Sequence, residues 1–234
     1  MAENDPIVSI VKPFNTLVIG MTSRPGAGTS SFTRRAHDQY VADIAPGLSQ
    51  FRVIQPITMH YLLKRAGYQP TSDTYSVNPQ TLREFHRNSF INGTHEAILH
   101  PLHKLVSDII IVEKIRHPQD AVYIQQHGGF LLHAMTDEAT ADKRFLSDKN
   151  DFKFSSAPYS TERMTELTLS KTEMSPANPD DIYSSNILGC IELADDTADF
   201  NGSMNDSTKN GLDAVVRLAF RYLDLDQTPQ DIAS

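Results

Sequence analysis

The chain has 234 residues, a formal charge of −8 (21 Lys+Arg against 29 Asp+Glu), 39% apolar residues and 21% charged ones. That content can bury a core and is too apolar for wholesale disorder, while the acidic balance disfavours nucleic acid or anionic membrane as a partner. No apolar run nears the ~18 residues of a membrane span, the single Cys190 cannot form an intrachain disulfide, and the acidic opening Met1-Ala-Glu-Asn-Asp-Pro has no secretory-signal pattern, so the expected setting is a reducing cytoplasm.

Residues 1–12 read as a loose leader, and 13–234 as a single domain. The β-branched run at 14–19 predicts a buried strand ended by Gly20. A turn-rich stretch at 22–30 follows, then a polar helix to about Asp43. A second strand is expected at 51–55, helices at 60–66, 79–88 and 94–106, and a polar loop at 67–77. The apolar run 108–113 predicts a third strand and 118–126 a helix. Gly128-Gly129 punctuates before a fourth strand at 130–135, and Asp137 is a candidate N-cap for the next helix. A polar loop is expected at 147–160, helices at 161–171 and 180–193, a weak fifth strand at 197–200 and a closing helix at 207–225. Strands alternating with helices point to an α/β fold with a mainly parallel sheet covered on both faces. The segment 147–185 lacks a strong strand and suits a helical lid.

The main chemical signal is the strand, glycine-rich turn and helix of residues 14–43. A helix N-terminus at the C-terminal edge of a parallel sheet offers unpaired N–H donors and about half a positive charge to an anion. In Pro25-Gly-Ala-Gly-Thr-Ser30, Gly26 and Gly28 let the backbone curl around a phosphate, and Ser30 stands where a hydroxyl would hold Mg²⁺. Against the pattern G-x-x-x-x-G-K-[ST], Ser23 replaces the first glycine and Thr29 the lysine. A unit charge ~4 Å from a phosphate oxygen contributes up to roughly 4 kcal/mol at an effective dielectric of 20, about three decades of rate. Arg24, Arg34, Arg116, Lys143 and Arg144 are the candidate replacements.

The loop resembles that of phosphoribulokinase-like P-loop kinases, where Gly-Ala-Gly-Thr-Ser also has Thr in the lysine position. The segment Ile111-Val-Glu-Lys-Ile-Arg-His-Pro-Gln-Asp-Ala121 is similar to one in dephospho-CoA-kinase-like and nucleotide-kinase-like P-loop proteins. So are Gly128-Gly-Phe-Leu-Leu-His-Ala-Met135 with Lys143-Arg144-Phe145, and the stretch 186–196 with Asn201-Gly202-Ser203. The resemblance spans about 14–223. It implies a three-layer fold with a five-stranded parallel sheet and a helical lid, ATP and Mg²⁺ as cofactors, and a small nucleotide-like acceptor of the dephospho-CoA or nucleoside monophosphate class.

Carried over, it implies that Ser23, Arg24, Pro25, Gly26, Ala27, Gly28, Thr29, Ser30 and Ser31 form the phosphate loop. Ser30 and Glu113 would serve the metal, Arg144 would cover the transferring phosphoryl from the lid, and Asn201 and Gly202 would lie beside the base. Arg116 either bridges phosphates or pairs with Asp120, its i+4 neighbour. Relatives carry an acid near the second strand to orient the attacking hydroxyl, and Val53-Ile-Gln-Pro-Ile-Thr-Met-His60 has none. Arg65 and Arg83 are candidate acceptor clamps and His60 a candidate base. His95, His100 and His103 share a helical stretch but lack the H-E-x-x-H or cysteine context of a zinc site. Cys190, among Leu188, Ile191 and Leu193, reads as an apolar filler. The expected activity is phosphoryl transfer from ATP; the alternatives are a nucleotide-binding module without turnover, or a phosphoribulokinase- or uridine-kinase-type enzyme. The oligomeric state is left open.

Overall fold

Apolar residues on both faces of the central strands make a parallel sheet that has to be covered twice. The structure is a computed structural model, and it describes residues 13–39, 41–68, 79–147, 161–176, 178 and 180–223. The expected leader, the 69–77 part of the first polar loop, the 148–160 part of the second and the chain beyond 223 lie outside the described residues. The strands are β1 (Leu17–Ser23), β2 (Ile54–Thr58), β3 (Ile109–Glu113), β4 (Phe130–Met135) and β5 (Asp196–Asp199). All neighbours are parallel, in the order β2-β3-β1-β4-β5. β1 is therefore central, and the loop leaving it opens between the ends of β3 and β4, where open α/β sheets bind ligands.

Alternate residues of β1 and β3 supply two separate cores. Leu17, Ile19, Met21, Ile109 and Ile111 face α1 (Thr29–His37), α2 (Val41–Ile44) and the closing helix α10 (Met204–Tyr222). Val18, Ile110 and Val112 face α3 (Met59–Arg65), α5 (Glu96–Leu99), α6 (Pro118–Gln126) and α9 (Ile187–Glu192). Helix α4 (Pro79–Ile91) adds Phe85 to the second core. Helices α7 (Glu138–Leu146) and α8 (Thr161–Lys171) pack on each other, tied by Lys171 to Glu138 and Asp142, both at 2.7 Å.

Where boundaries differ from expectation, tertiary pairing or a cap decides. β1 runs on to Ser23 because Thr22 and Ser23 pair with His133 and Ala134 of β4. The helix expected at 94–106 is α5 followed by a 3₁₀ turn, His100–Lys104, since Pro101 lacks the N–H a continuous helix needs. Residues 180–186 are turns, with Ser184 bonded to Asp181 at 2.7 Å, and α9 begins only after Asn186 caps Gly189 N–H at 2.9 Å. The closing helix starts at Met204, three residues earlier than read, because Ser203 and Asp206 form a capping box. No helix among the described residues is long and apolar enough to cross a membrane.

Candidate functional site

The loop between β1 and α1 has the geometry its glycines predict. Gly26 and Gly28 have φ of 85° and 94°, in the left-handed region, and Gly28 is the N-cap of α1 without a side-chain cap. Its carbonyl accepts from Ser31 and Phe32 N–H, both at 3.0 Å, and Ala27 N–H closes a turn on Arg24 O at 3.2 Å. Among the described residues the N–H groups of Gly26, Gly28, Thr29 and Ser30 have no acceptor. The first turn of α1 carries no acid of its own. Ser23 ends β1, half-buried Pro25 and exposed Ser31 flank the turn, and Thr29 is buried in the position of the missing lysine.

Ser30 and Glu113, 83 residues apart, meet here. The Ser30 hydroxyl donates to Glu113 Oε2 at 2.8 Å, and Thr33 donates to the other carboxylate oxygen. Glu113 ends β3 and is 5% exposed. A buried carboxylate held by two hydroxyls at the mouth of an N–H-lined loop is a set of hard oxygen donors suited to Mg²⁺. Thr33 was not among the residues read from sequence, though its i+3 spacing from Ser30 puts both on one face of α1.

Arg144, on α7, straps the loop to the end of β5. Its Nη1 donates to Ala27 O at 3.1 Å and Phe200 O at 2.6 Å, and its Nη2 to Gly202 O at 2.6 Å. Its guanidinium thus lies between the glycine-rich turn and the 200–202 segment, engaged with three carbonyls. Asn201 steadies that segment: its Oδ1 accepts Asp137 N–H at 2.8 Å and its Nδ2 donates to Asp199 at 2.9 Å. Arg24 lies 3.8 Å from Glu138, which Lys171 holds below the usual carboxylate range by hydrogen bonding. Lys143 is exposed on α7 and Arg34 exposed on α1.

Three residues beyond Glu113, Arg116 pairs with Glu173 rather than with Asp120, correcting the i+4 alternative. Arg83 of α4 grips the other oxygen of the same carboxylate. Glu173 is 2% exposed while both arginines are about 30% exposed, so one buried acid gathers two guanidinium groups near the sheet edge. Asp120, fully buried, instead faces His86 Nε2 at 3.1 Å. His117 packs beside His86, ring centroids 4.3 Å apart; burial first, and His86 next, push its pKa down to about 3. Glu173 had no signal in the sequence, since it falls in the segment read as lid.

The remaining candidates go elsewhere. Arg65 stacks over Tyr61 and lines an open pocket of about 470 Å³ with Glu96, His100, Lys104 and Tyr123. His60 packs edge-on to Tyr68, and His95 stacks on Phe90. His100 and His103 lie 5.7 Å apart between ring centroids. Cys190 is fully buried, which pushes its thiol pKa well up, as expected of an apolar filler.

Five parallel strands in this order, a glycine-rich turn from the central strand to a helix, and an acid closing on it from the adjacent strand give the chain a three-layer α/β fold of the P-loop type. No family model and no curated protein matches the chain. Among solved structures it is similar to TT1252 from Thermus thermophilus (13% identity, 86% of this chain and 97% of that one, TM-score 0.49). It is also similar to shikimate kinase from Bacteroides thetaiotaomicron (13%, 86% and 99%, TM-score 0.46). A third likeness is to shikimate kinase from Aquifex aeolicus (12%, 90% and 100%, TM-score 0.43). Likenesses at these identities assign neither substrate nor activity.

Proposed function

We propose that the protein is an ATP-dependent small-molecule kinase acting on a nucleotide-like acceptor of the dephospho-CoA or nucleoside monophosphate class. The observation that carries this reading is the Ser30–Glu113 hydrogen bond, 2.8 Å, at the mouth of a turn with four N–H groups lacking acceptors among the described residues. Such a turn binds polyphosphate through backbone dipoles. Ser30 and Glu113 would hold Mg²⁺, which when bound neutralises charge on the phosphate oxygens. The protein's own contribution is positioning: Arg144 fixes the turn against the 200–202 segment, and α1 directs its N-terminus at the donor. Arg83 and Arg116, converging on Glu173, support an acceptor that carries an anionic group.

Thr29 favours a second reading, a module that binds nucleotide without turning it over. One experiment separates the two: dephospho-CoA, nucleoside monophosphates and nucleosides are offered with ATP and Mg²⁺, and acceptor-dependent ADP release is followed. Release with one acceptor class supports the kinase. Thermal stabilisation by ATP with no release under any acceptor supports the binding module, because ligand binding raises stability whether or not chemistry follows.

A further inference from the structure

The open pocket beside Arg65 lies apart from the glycine-rich turn. Arg65 closes α3, Glu96 opens α5, His100 and Lys104 belong to the 3₁₀ turn, and Tyr123 comes from α6. Its volume, about 470 Å³, falls in the range of small-molecule sites. Next to Lys104, His103 packs on Phe14 with ring centroids 4.6 Å apart, and its carbonyl accepts from Asn15 at 3.3 Å. Phe14 and Asn15 precede Leu17, the first residue of β1, whereas the glycine-rich turn follows Ser23, the last. The pocket therefore opens by the edge where the strands begin, and the length of β1 puts roughly 20 Å between the two ends.

The lining is charged and only partly matched. Among the described residues Arg65, His100 and Lys104 form no ion pair with a carboxylate, whereas Arg116, Arg217 and Lys171 each do. Glu96 is the one acid in the lining. Two permanent cations and an imidazole around it reverse locally the formal −8 of the chain. The buried wall is Tyr123, whose hydroxyl lies 3.3 Å from His103 Nε2; His103 in turn lies 5.7 Å from His100 between ring centroids. Burial first, and the Glu96 charge next, push the Tyr123 phenol up, so it stays protonated.

We propose that this pocket is a second ligand site, for a small phosphorylated molecule whose phosphate sits among Arg65, His100 and Lys104 and whose hydroxyl groups donate to Glu96. Guanidinium and ammonium groups hold phosphate oxygens through charge-assisted hydrogen bonds, and a carboxylate in the same cavity repels a bare anion but accepts from a hydroxyl. The site is independent of the kinase reading, since none of its residues belongs to the glycine-rich turn.

The test follows the His100 imidazole resonances by NMR while ribose 5-phosphate, inorganic phosphate or unphosphorylated ribose is added to the full chain. Ribose 5-phosphate is expected to shift them saturably, inorganic phosphate more weakly, and ribose not at all. Arg65→Met and Lys104→Met, both at exposed positions, should each weaken ribose 5-phosphate roughly three- to tenfold. Glu96→Gln should tighten inorganic phosphate, because it removes the negative charge from the lining. Ser30→Ala should leave all of these shifts as they are; a variant that abolished them would show phosphate binding at the glycine-rich turn and would overturn the second site. No shift with ribose 5-phosphate in the native chain, or a shift that neither Arg65→Met nor Lys104→Met weakens, overturns it as well and leaves the kinase reading untouched.

Discussion

Gly26 of the glycine-rich turn lies directly against the Ala141 carbonyl of α7: a Cβ on Gly26 would stand 2.1 Å from that oxygen. This glycine is needed for the docking of α7 as well as for its φ of 85°. Gly26→Ala should force the helix and turn apart and destabilise the fold by about 2–4 kcal/mol. Urea unfolding measures this; a loss below about 1 kcal/mol, the left-handed backbone alone, would mean the helix gives way freely.

Gly28, two residues on, is predicted to behave differently. A Cβ there meets nothing nearer than 3.9 Å, in the open space beside Arg144 and Met204, so only its φ of 94° resists substitution. Gly28→Ala should cost roughly 1 kcal/mol in stability and, on the proposed function, about tenfold in nucleotide affinity, because the methyl group would enter the space that reading gives the phosphates. Affinity equal to the native chain's would place the nucleotide elsewhere.

Ser30, Thr33 and Glu113 form one unit, and their variants should grade accordingly. If the proposed kinase reading holds, Ser30→Ala and Glu113→Gln would remove a metal donor or its charge, and kcat is expected to fall about a hundredfold or more with folding little changed. Thr33→Val keeps the shape and removes the hydroxyl that orients Glu113 and also reaches Ser30 O at 3.3 Å, so a loss near tenfold is expected. Steady-state kinetics against magnesium concentration checks the order; a Ser30→Ala enzyme with native turnover would count heavily against the site.

The turn and its acid were legible because their chemistry is local. Glycines between an apolar run and a polar helix, and a carboxylate ending an all-apolar strand, announce themselves without tertiary information. The three-layer sheet followed from buried runs separated by helical stretches. Pairings across long separations were not legible: Arg116 has an acid four residues away, and the fold gives it Glu173 instead, 57 positions later. Likewise Arg144, read as a lid cation, meets Ala27, Phe200 and Gly202 carbonyls, because backbone acceptors leave no mark in a sequence.

Glu173 offers a test of how the lid side is tied to the sheet. Glu173→Ala would leave Arg83 and Arg116 facing each other with no carboxylate between them. Losing one partner of a buried pair costs about 3–5 kcal/mol; with both guanidinium groups about 30% exposed, about 2 kcal/mol is expected. Glu173→Gln, which keeps the shape without the charge, should fall between. Chemical unfolding reads both, and a Glu173→Ala chain as stable as the native one would show that solvent serves the arginines equally well.

His117 predicts how stability responds to acid. Burial is the main reason its pKa is pushed down to about 3, with His86 beside it the next cause. The unfolded chain takes up this proton near pH 6.5 and the folded chain does not, so the unfolded state binds more protons between those values. The contribution is therefore fully present above pH 6.5 and is lost as pH falls toward 3, a loss on the order of a few kcal/mol. The carboxylates held low, such as Asp137, Asp181 and Asp206, contribute only below the ordinary carboxylate range. A decline between pH 6.5 and 5 thus reports imidazoles, His117 together with His133, whose pKa burial also pushes down, and the variant separates the two. In His117→Phe, whose ring can pack on Phe90 as the native imidazole does at 4.9 Å, the urea midpoint should change less over that interval. An identical slope in the two proteins would show that another group carries the acid sensitivity.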